Sequence, residues 1–567
     1  MKIIFVTIRL KLFIEVLGLF AAINIATAQA LQLKITSADT LHLEVIETIG
    51  YTKTFEEFTS LETQVSSFTA QLYQLGYIEA QVLEISTDRP SVVATIALGP
   101  KYERILLYAD NELFSFLELE SRNDLENKTY YGVDVSDLES ILNKLTALLT
   151  SKSHPFASVS LKNISPINKT TLSANLVVEK KQPRQLQSVE IKGYEKFPRS
   201  FIKQYLGIKT NTPFDLKAIR SKTETLNQLN FTNQLRPAEV LFTQDTTRVY
   251  LYLEKTKSNR FDGFLGFGSD ETSGDLEING YLNLNLVNNL NFGESFRLNY
   301  RSDENDLKTF ETQLTLPYLF KSPIGSELQL NIIKKDSTFT TAEQAASLYY
   351  QINPKQKVFF GIKSSQSNAL TTEIINTIED YRTSAYELRY MYQQRNPQNI
   401  LVPLKRFFEV RLSKATRKTT DTKTNQTVYT LNASNVFSLN LKNSVYVRLN
   451  AQGINSESYL QNELLRFGGI NAIRGFEENS ISATQFGILA SEYRYQLSPT
   501  LYMHSIIDAA YFKTPIQSDQ KLFGFGFGFG LLTEAGLLKF NLANGKTETQ
   551  SFKFSDSKVH LSLTATF

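Results

Sequence analysis

Between Arg466 and Phe476 the chain reads Arg-Phe-Gly-Gly-Ile-Asn-Ala-Ile-Arg-Gly-Phe. Gly468, Gly469 and Gly475 permit backbone shapes closed to other residues, and they bracket one cation, Arg474, among apolar neighbours. Such a segment is built to pack against protein. An arginine held there needs a fixed acceptor, because an unpaired buried charge costs about 3–5 kcal/mol. The chemistry on offer is therefore a buried ion pair, and its candidate acceptors follow on two alternating stretches. On Gln485 to Leu497 one face collects Ile488, Ala490, Glu492, Arg494 and Gln496. On Leu501 to Phe512 the residues Leu501, Met503, Ile507, Ala509 and Tyr511 take the opposite face, which leaves Asp508 pointing the same way as Glu492. Asp508 and Glu492 both stand as acceptors. The next stretch alternates Gly524, Gly526, Gly528 and Gly530 with Phe525, Phe527 and Phe529. Glycine in a strand often marks close approach of another backbone, so the Arg474 segment is expected to rest on this bare face. The bland alternative is a glycine-rich surface loop followed by a strand thinned for curvature.

Other chemistry finds little support. The chain has no cysteine, which removes disulfides, thiolate metal sites and catalytic thiols. The four histidines, His42, His154, His504 and His560, are scattered. No G-x-S-x-G, H-E-x-x-H or P-loop pattern occurs. A net charge of +3, spread along the chain, argues against nucleic acid as a partner. We expect no enzyme activity, no cofactor and no metal.

The elements that must position Arg474 come from two different periodicities. At 567 residues the chain needs several folding units. Its 42% hydrophobic and 21% charged residues fit neither a disordered chain nor a bundle of apolar spanning helices. From Arg260 onward strict alternation dominates, as in Tyr281 to Leu286, Gly524 to Gly530 and Leu561 to Phe567. About sixteen such strands fit, at roughly nineteen residues per strand and turn, a spacing suited to tilted membrane strands. A soluble sandwich or propeller would alternate too, but would not need so many outward aromatics; Phe and Tyr number 39 and 27.

Before Arg260 short strands and helices repeat every 75 to 80 residues or so, the mark of a string of α+β modules. The first, 31–100, has an amphipathic stretch Leu61 to Leu75 and a strand Val92 to Leu98. The second, 101–182, opens on Tyr102 to Tyr108, has a helix over Ser136 to Leu149, and closes with Ala157 to Leu161 and Leu172 to Val178. The third, 183–259, runs from Leu186 to Ile191 through helices near Ser200 to Leu206 and Phe214 to Leu229, then Ala238 to Phe242 and Arg248 to Leu253. Residues 1–30 read as an export signal: Lys2, Arg9 and Lys11, an apolar run from Leu12 to Ala26, and the small-x-small site Ala28-Gln29-Ala30. A retained amphipathic anchor is the competing reading, and Glu15 suits neither.

This arrangement resembles the BamA/TamA superfamily of outer-membrane proteins, in which periplasmic POTRA modules precede a sixteen-stranded barrel. The likeness covers nearly the whole chain after residue 30. Its most specific element is the Val-Arg-Gly-Phe/Tyr motif of the sixth extracellular loop, here Ile473-Arg474-Gly475-Phe476 after Gly468-Gly469. The resemblance implies that Arg474 reaches an acidic residue on the inner wall, with Asp508 in Ile506-Ile507-Asp508-Ala509-Ala510 at the matching place and Glu492 as the alternative. Ile506 and Ala510 depart from the family's aromatic and glycine. The implied fold is α+β POTRA repeats followed by a 16-stranded antiparallel transmembrane β-barrel over 260–567.

The resemblance further implies an assembly or insertion factor working by lateral opening of the seam between first and last strands. The first strand, Phe261 to Gly268, carries Gly263, Gly266 and Gly268 and would pair with Val559 to Phe567. Curvature is the competing use of these glycines. Leu561, Leu563 and the terminal Phe567 share a face, as in a final strand read by the barrel-assembly machinery. Implied partners are the outer-membrane bilayer, unfolded outer-membrane or secreted client polypeptides, and a periplasmic accessory protein on the modules. Three modules point to the TamA-like branch instead of the five-module general factor. The alternative is an export pore of the two-partner secretion type, whose translocators usually have two modules and a plug helix.

Overall fold

The computed structural model describes residues 30–39, 42–88, 90–109, 121–123, 128–269, 276–302, 307–370, 377–396, 399, 401–516, 520–548 and 556–567. The expected export signal lies outside them except for Ala30. The chain divides into two compact units, Met1–Arg184 with Pro213–Asp215, and Gln185–Thr212 with Leu216–Phe567.

The first unit holds two modules. In one, strands Leu31–Ser37 and Ser91–Ala97 run parallel at the centre of a four-stranded sheet, flanked by Thr54–Phe55 and Gln81–Asp88. Helix Phe58–Gln74 lays Leu61, Val65, Phe68 and Leu72 along one stripe against Val92, Ala94 and Ile96, which alternate on the central strand. The other module is a five-stranded sheet whose centre, Arg104–Tyr108, pairs parallel with Thr171–Glu179 and antiparallel with Thr129–Asp134. Helix Val135–Ser151 covers it through Ile141 and Leu145. The strand before that helix departs from the expected strand, helices, strand, strand order. Tyr131 and Val133 alternate inward there, so Thr129–Asp134 gains a buried face as a strand.

The second unit opens with a three-stranded sheet. Ser188–Gly193 runs parallel to Thr247–Lys255, which pairs antiparallel with Thr232–Phe242. That last strand is bulged between Gln234 and Glu239, where Pro237 cannot donate to a ladder. Two short helices, Ser200–Gln204 and Leu216–Glu224, complete it.

A closed, wholly antiparallel barrel of sixteen strands follows. In chain order they are β1 Arg260–Ser269, β2 Leu276–Val287, β3 Ser295–Ser302, β4 Leu307–Leu316, β5 Ile324–Lys335, β6 Phe339–Asn353, β7 Gln356–Ala369 and β8 Tyr381–Arg395. The second half comprises β9 Leu404–Lys418, β10 Lys423–Ser438, β11 Asn443–Asn455, β12 Gln485–Ser498, β13 Leu501–Lys513, β14 Gln520–Thr533, β15 Gly536–Thr547 and β16 Lys558–Thr566. Alternation sorts their side chains: Phe360, Ile362, Tyr386, Leu388 and Ile507 lie exposed on the outer face, whereas Glu327, Arg389, Glu409 and Asp508 are buried inside. An apolar outside around a charged inside is the reverse of a soluble protein.

The connections after β2, β4, β6, β8, β10, β12 and β14 lie at the end carrying the third module, and that module packs on several of them. Tyr318, in the β4–β5 turn, meets the Phe201 ring edge-on at 4.8 Å. Asn288 in the β2–β3 turn donates to the Tyr194 hydroxyl at 2.7 Å, and the Arg395 N–H donates to Gln228 Oε1 at 2.9 Å. Gly293 in the same β2–β3 turn has φ +80°, and a side chain there would enter the Phe201 ring. The longest described connection at the opposite end is residues 456–484, between β11 and β12.

Phe201 thus centres an aromatic cluster with Phe197, Tyr205, Phe231 and Tyr318. Replacing Phe201 by Ala should cost about 3–5 kcal/mol of packing. We expect faster limited proteolysis around residue 201 with the folded barrel band retained on cold gels.

Candidate functional site

Residues 456–484 fold inward. A hairpin, Leu465–Phe467 with Ile481–Ala483, carries the loop, and its apolar face enters a cluster with barrel side chains. Phe467 stacks on Phe486 of β12 at 4.5 Å and meets Phe512 of β13 edge-on. Ile473 is wholly buried among the same group, with Phe476 packed at its margin. Burial of these rings drives the loop into the barrel, which in turn takes Arg474 out of water.

Arg474 is 4% exposed. Its Nε and Nη2 donate to the two oxygens of Asp508 at 2.8 and 2.6 Å, a bidentate fork, and its own backbone N–H adds a third bond to Asp508 Oδ2 at 3.0 Å. Nη1 donates to Glu492. Glu492 in turn accepts from Arg494 Nε and Nη2 at 2.8 and 2.7 Å, and the Arg494 guanidinium lies over the Tyr446 ring. The result is a chain of two guanidiniums and two carboxylates with no net charge. The two candidate acceptors are therefore partners of one arginine, not alternatives. Alternation places Glu492 and Asp508 on the same face, and β12–β13 pairing brings them to neighbouring rungs.

Close backbone approach completes the fit. Gly475, at φ +90°, lies against Asn544 and Gly545 of β15, so that a side chain on either glycine would overlap the other chain. The Arg474 carbonyl sits over Gly524, at one end of the glycine row on β14. The rest of that row is not bare. Gly526 faces the Leu542–Ala543 backbone, Gly528 lies under His504 and Asn541, and Gly530 lies under Tyr502. The expected resting wall thus shrinks to Gly524, because the β15 backbone closes on Gly526 and side chains from β13 and β15 fill the gaps at Gly528 and Gly530.

Gly469 leaves room for the Glu478 carboxylate, whose Oε1 accepts the Ile470 N–H at 2.8 Å; Gly468, at φ +128°, passes the Glu477 carbonyl. The seam residues stand apart from this site. Among the described residues, β1 and β16 pair at Arg260 with Thr566 and Phe261 with Ala565, extended by two bonds between Asn259 and Phe567. The stretch from Gly263 to Gly268 was expected to pair with Val559 onward and does not. Gly263 instead lies against β2, where a side chain would meet Tyr281. Leu561, Leu563 and Phe567 are exposed on the outer face.

Three positions are not legible in the sequence. Arg448 of β11 donates to the Asn471 and Ala472 carbonyls, both at 2.7 Å, capping the turn before Arg474. Arg417 of β9, 1% exposed, bonds Glu463 and the Ser458 hydroxyl, while Glu463 also accepts from Gln426. These lumen arginines look like ordinary members of alternating strands, and only the folded loop supplies their acceptors. Gly545 escaped for the same reason, as a lone glycine with no pattern around it.

No family model and no curated protein matches the sequence. Among solved structures, CdiB from Escherichia coli aligns at TM-score 0.51 and 13% identity, over 90% of this chain and 98% of that one. CdiB from Acinetobacter baumannii aligns at TM-score 0.51 and 16% identity, over 82% and 90%. The chain has the fold of these barrels. BamA from Haemophilus ducreyi lacking POTRA domains 1-3 aligns at TM-score 0.49 and 14% identity, over 82% and 100%.

Asp508 takes three bonds from Arg474, whereas Glu492 takes one and shares it with Arg494. Asp508→Asn should therefore loosen the loop more than Glu492→Gln, by about 3–5 kcal/mol for the uncompensated buried arginine. Protease cutting within 456–484 should rank Asp508→Asn above Glu492→Gln above the parent. Arg474→Lys should resemble Asp508→Asn, because an ammonium cannot form the fork.

Proposed function

We propose that this chain spans a bacterial outer membrane, with its modules in the periplasm, and assembles or inserts client polypeptides by opening the β1–β16 seam. The observation that carries the reading is that seam. Among the described residues, every other neighbouring pair in the barrel is joined along most of its length, yet the first and last strands share two backbone pairs at one end. The remaining length of β1 and β16 offers N–H and C=O groups with no strand across from them, the template that β-augmentation uses. A client strand entering there would gain a ladder on one side and lipid on its outer face. Ordering and burial of the client supply the driving force.

The apolar outer face supports the membrane placement. The third module sits on the side of the short turns, which in such barrels is the periplasmic side, and the inward-folded loop lies on the other. A second reading is an export pore of the two-partner secretion type, for which the fold likeness to CdiB leaves room. Against it, the lumen holds a loop fixed at both Arg474 and Arg417, so a polypeptide passing through would have to break buried ion pairs.

Depletion followed by outer-membrane proteomics separates the two. Loss of several barrel proteins supports assembly, and loss of one secreted polypeptide supports export. The seam itself is tested by Phe261→Cys with Ala565→Cys, opposite residues of the closed end in a chain with no other cysteine. Oxidised protein should lose client assembly and regain it on reduction. Unchanged assembly in the oxidised state rules out an opening that parts β1 from β16 at this end.

A further inference from the structure

Past Phe261 and Ala565 the backbone pairing between β1 and β16 ends, yet side chains cross the gap. Two adjacent carboxylates of the inward loop make the crossing. Lys558, the first residue of β16, donates from Nζ to Glu477 Oε1 at 3.0 Å. Arg301 of β3 pairs through Nη1 with Glu478 Oε2 at 2.8 Å. From Arg301 the line continues toward the first strand. Arg301 stands opposite Tyr281 of β2, and the Tyr281 hydroxyl donates to Asp262 Oδ1 of β1 at 3.0 Å. The last strand is thus tied to the first three through the loop.

We propose that Glu477 and Glu478 form a latch that holds the unpaired length of the seam closed, and that it releases at β16. The fixed post is the loop, anchored by Arg474 a few residues away. The two links differ in strength. Glu478 has three holds: Arg301, the Ile470 N–H, and a niche that Gly469 leaves open. Its ion pair is about a quarter exposed, at 27% and 23%. The Lys558–Glu477 pair is about half exposed, at 43% and 50%. An exposed pair of this kind contributes no more than about 1 kcal/mol and weakens with salt. Opening therefore moves β16 away while the loop stays with β1, β2 and β3. The unpaired edge so revealed on β1 is held in place by a network it never leaves.

The proposal rests on the seam being the line of opening, and adds which strand moves and what restrains it. Its test reads seam geometry without a client. Spin labels on cysteines replacing Val559 of β16 and Leu282 of β2, in the full chain in liposomes, report the distance across the seam. Both Glu477→Lys and Lys558→Glu should raise the separated population about two- to fivefold at low salt, the range expected of an exposed pair. The double variant, Glu477→Lys with Lys558→Glu, should return to the parent distribution, and 1 M salt should shift the parent toward the single variants. Should Glu477→Lys fail to form a barrel, Lys558→Glu places the same like-charge contact without altering the loop. Identical distributions in parent and single variants overturn the latch, as does a double variant that stays open. Client assembly measured on the same variants separates the readings: a shifted distance with unaltered assembly keeps the latch and removes lateral opening as the assembly step.

Discussion

The structure depends on one buried cation. Arg474 is placed inside a barrel by apolar residues around it, and once there it must be neutralised or the loop must leave. Three groups meet that demand: the fork on Asp508, the carboxylate of Glu492, and Arg494 beyond it, which balances the second acid. Each sits on a strand whose register is set by neighbouring strands, so the ion chain forms only when the ladder β12–β13 is correctly paired. A one-residue slip would turn either acid to the outer face. The loop is consequently a check on the barrel as much as its cargo.

That demand explains the glycines near it and leaves others unexplained by it. Gly475, Gly524 and Gly545 are where two backbones pass within a side chain's width. Gly526, Gly528 and Gly530 answer a different need, making space for a neighbouring strand, His504 with Asn541, and Tyr502. One alternating row in sequence thus serves two kinds of packing, and which glycine does which is set by residues on adjacent strands.

The barrel combines a tightly held interior with a loosely held edge. Arg474 and Arg417 fix the loop through buried charges, where breaking one partner is costly. The seam has little backbone pairing and one half-exposed ion pair, where breaking is cheap. A rigid loop beside a soft seam localises motion at β16 and leaves the rest of the wall undisturbed. The third module, packed on the turns through Phe201 and Tyr194, adds rigidity at the opposite end from the loop.

By itself the sequence determined the strand count, the side each residue faces, and the placement of Glu492 and Asp508 on Arg474's side. Those follow from the period of two, which needs only local residue order. It also determined much of the repeating α+β pattern but not Thr129–Asp134, where an extra strand gained its burial from a sheet not visible locally. Tertiary structure alone decided that both acids share one arginine, that Arg417 and Arg448 hold the loop, and that only Gly524 of its row bears it. It likewise decided that the seam stops after two backbone pairs and that Glu477 and Glu478 bridge what remains. Each of these depends on groups from strands far apart in the chain, whose distances are set by barrel closure and by the path of one inward loop.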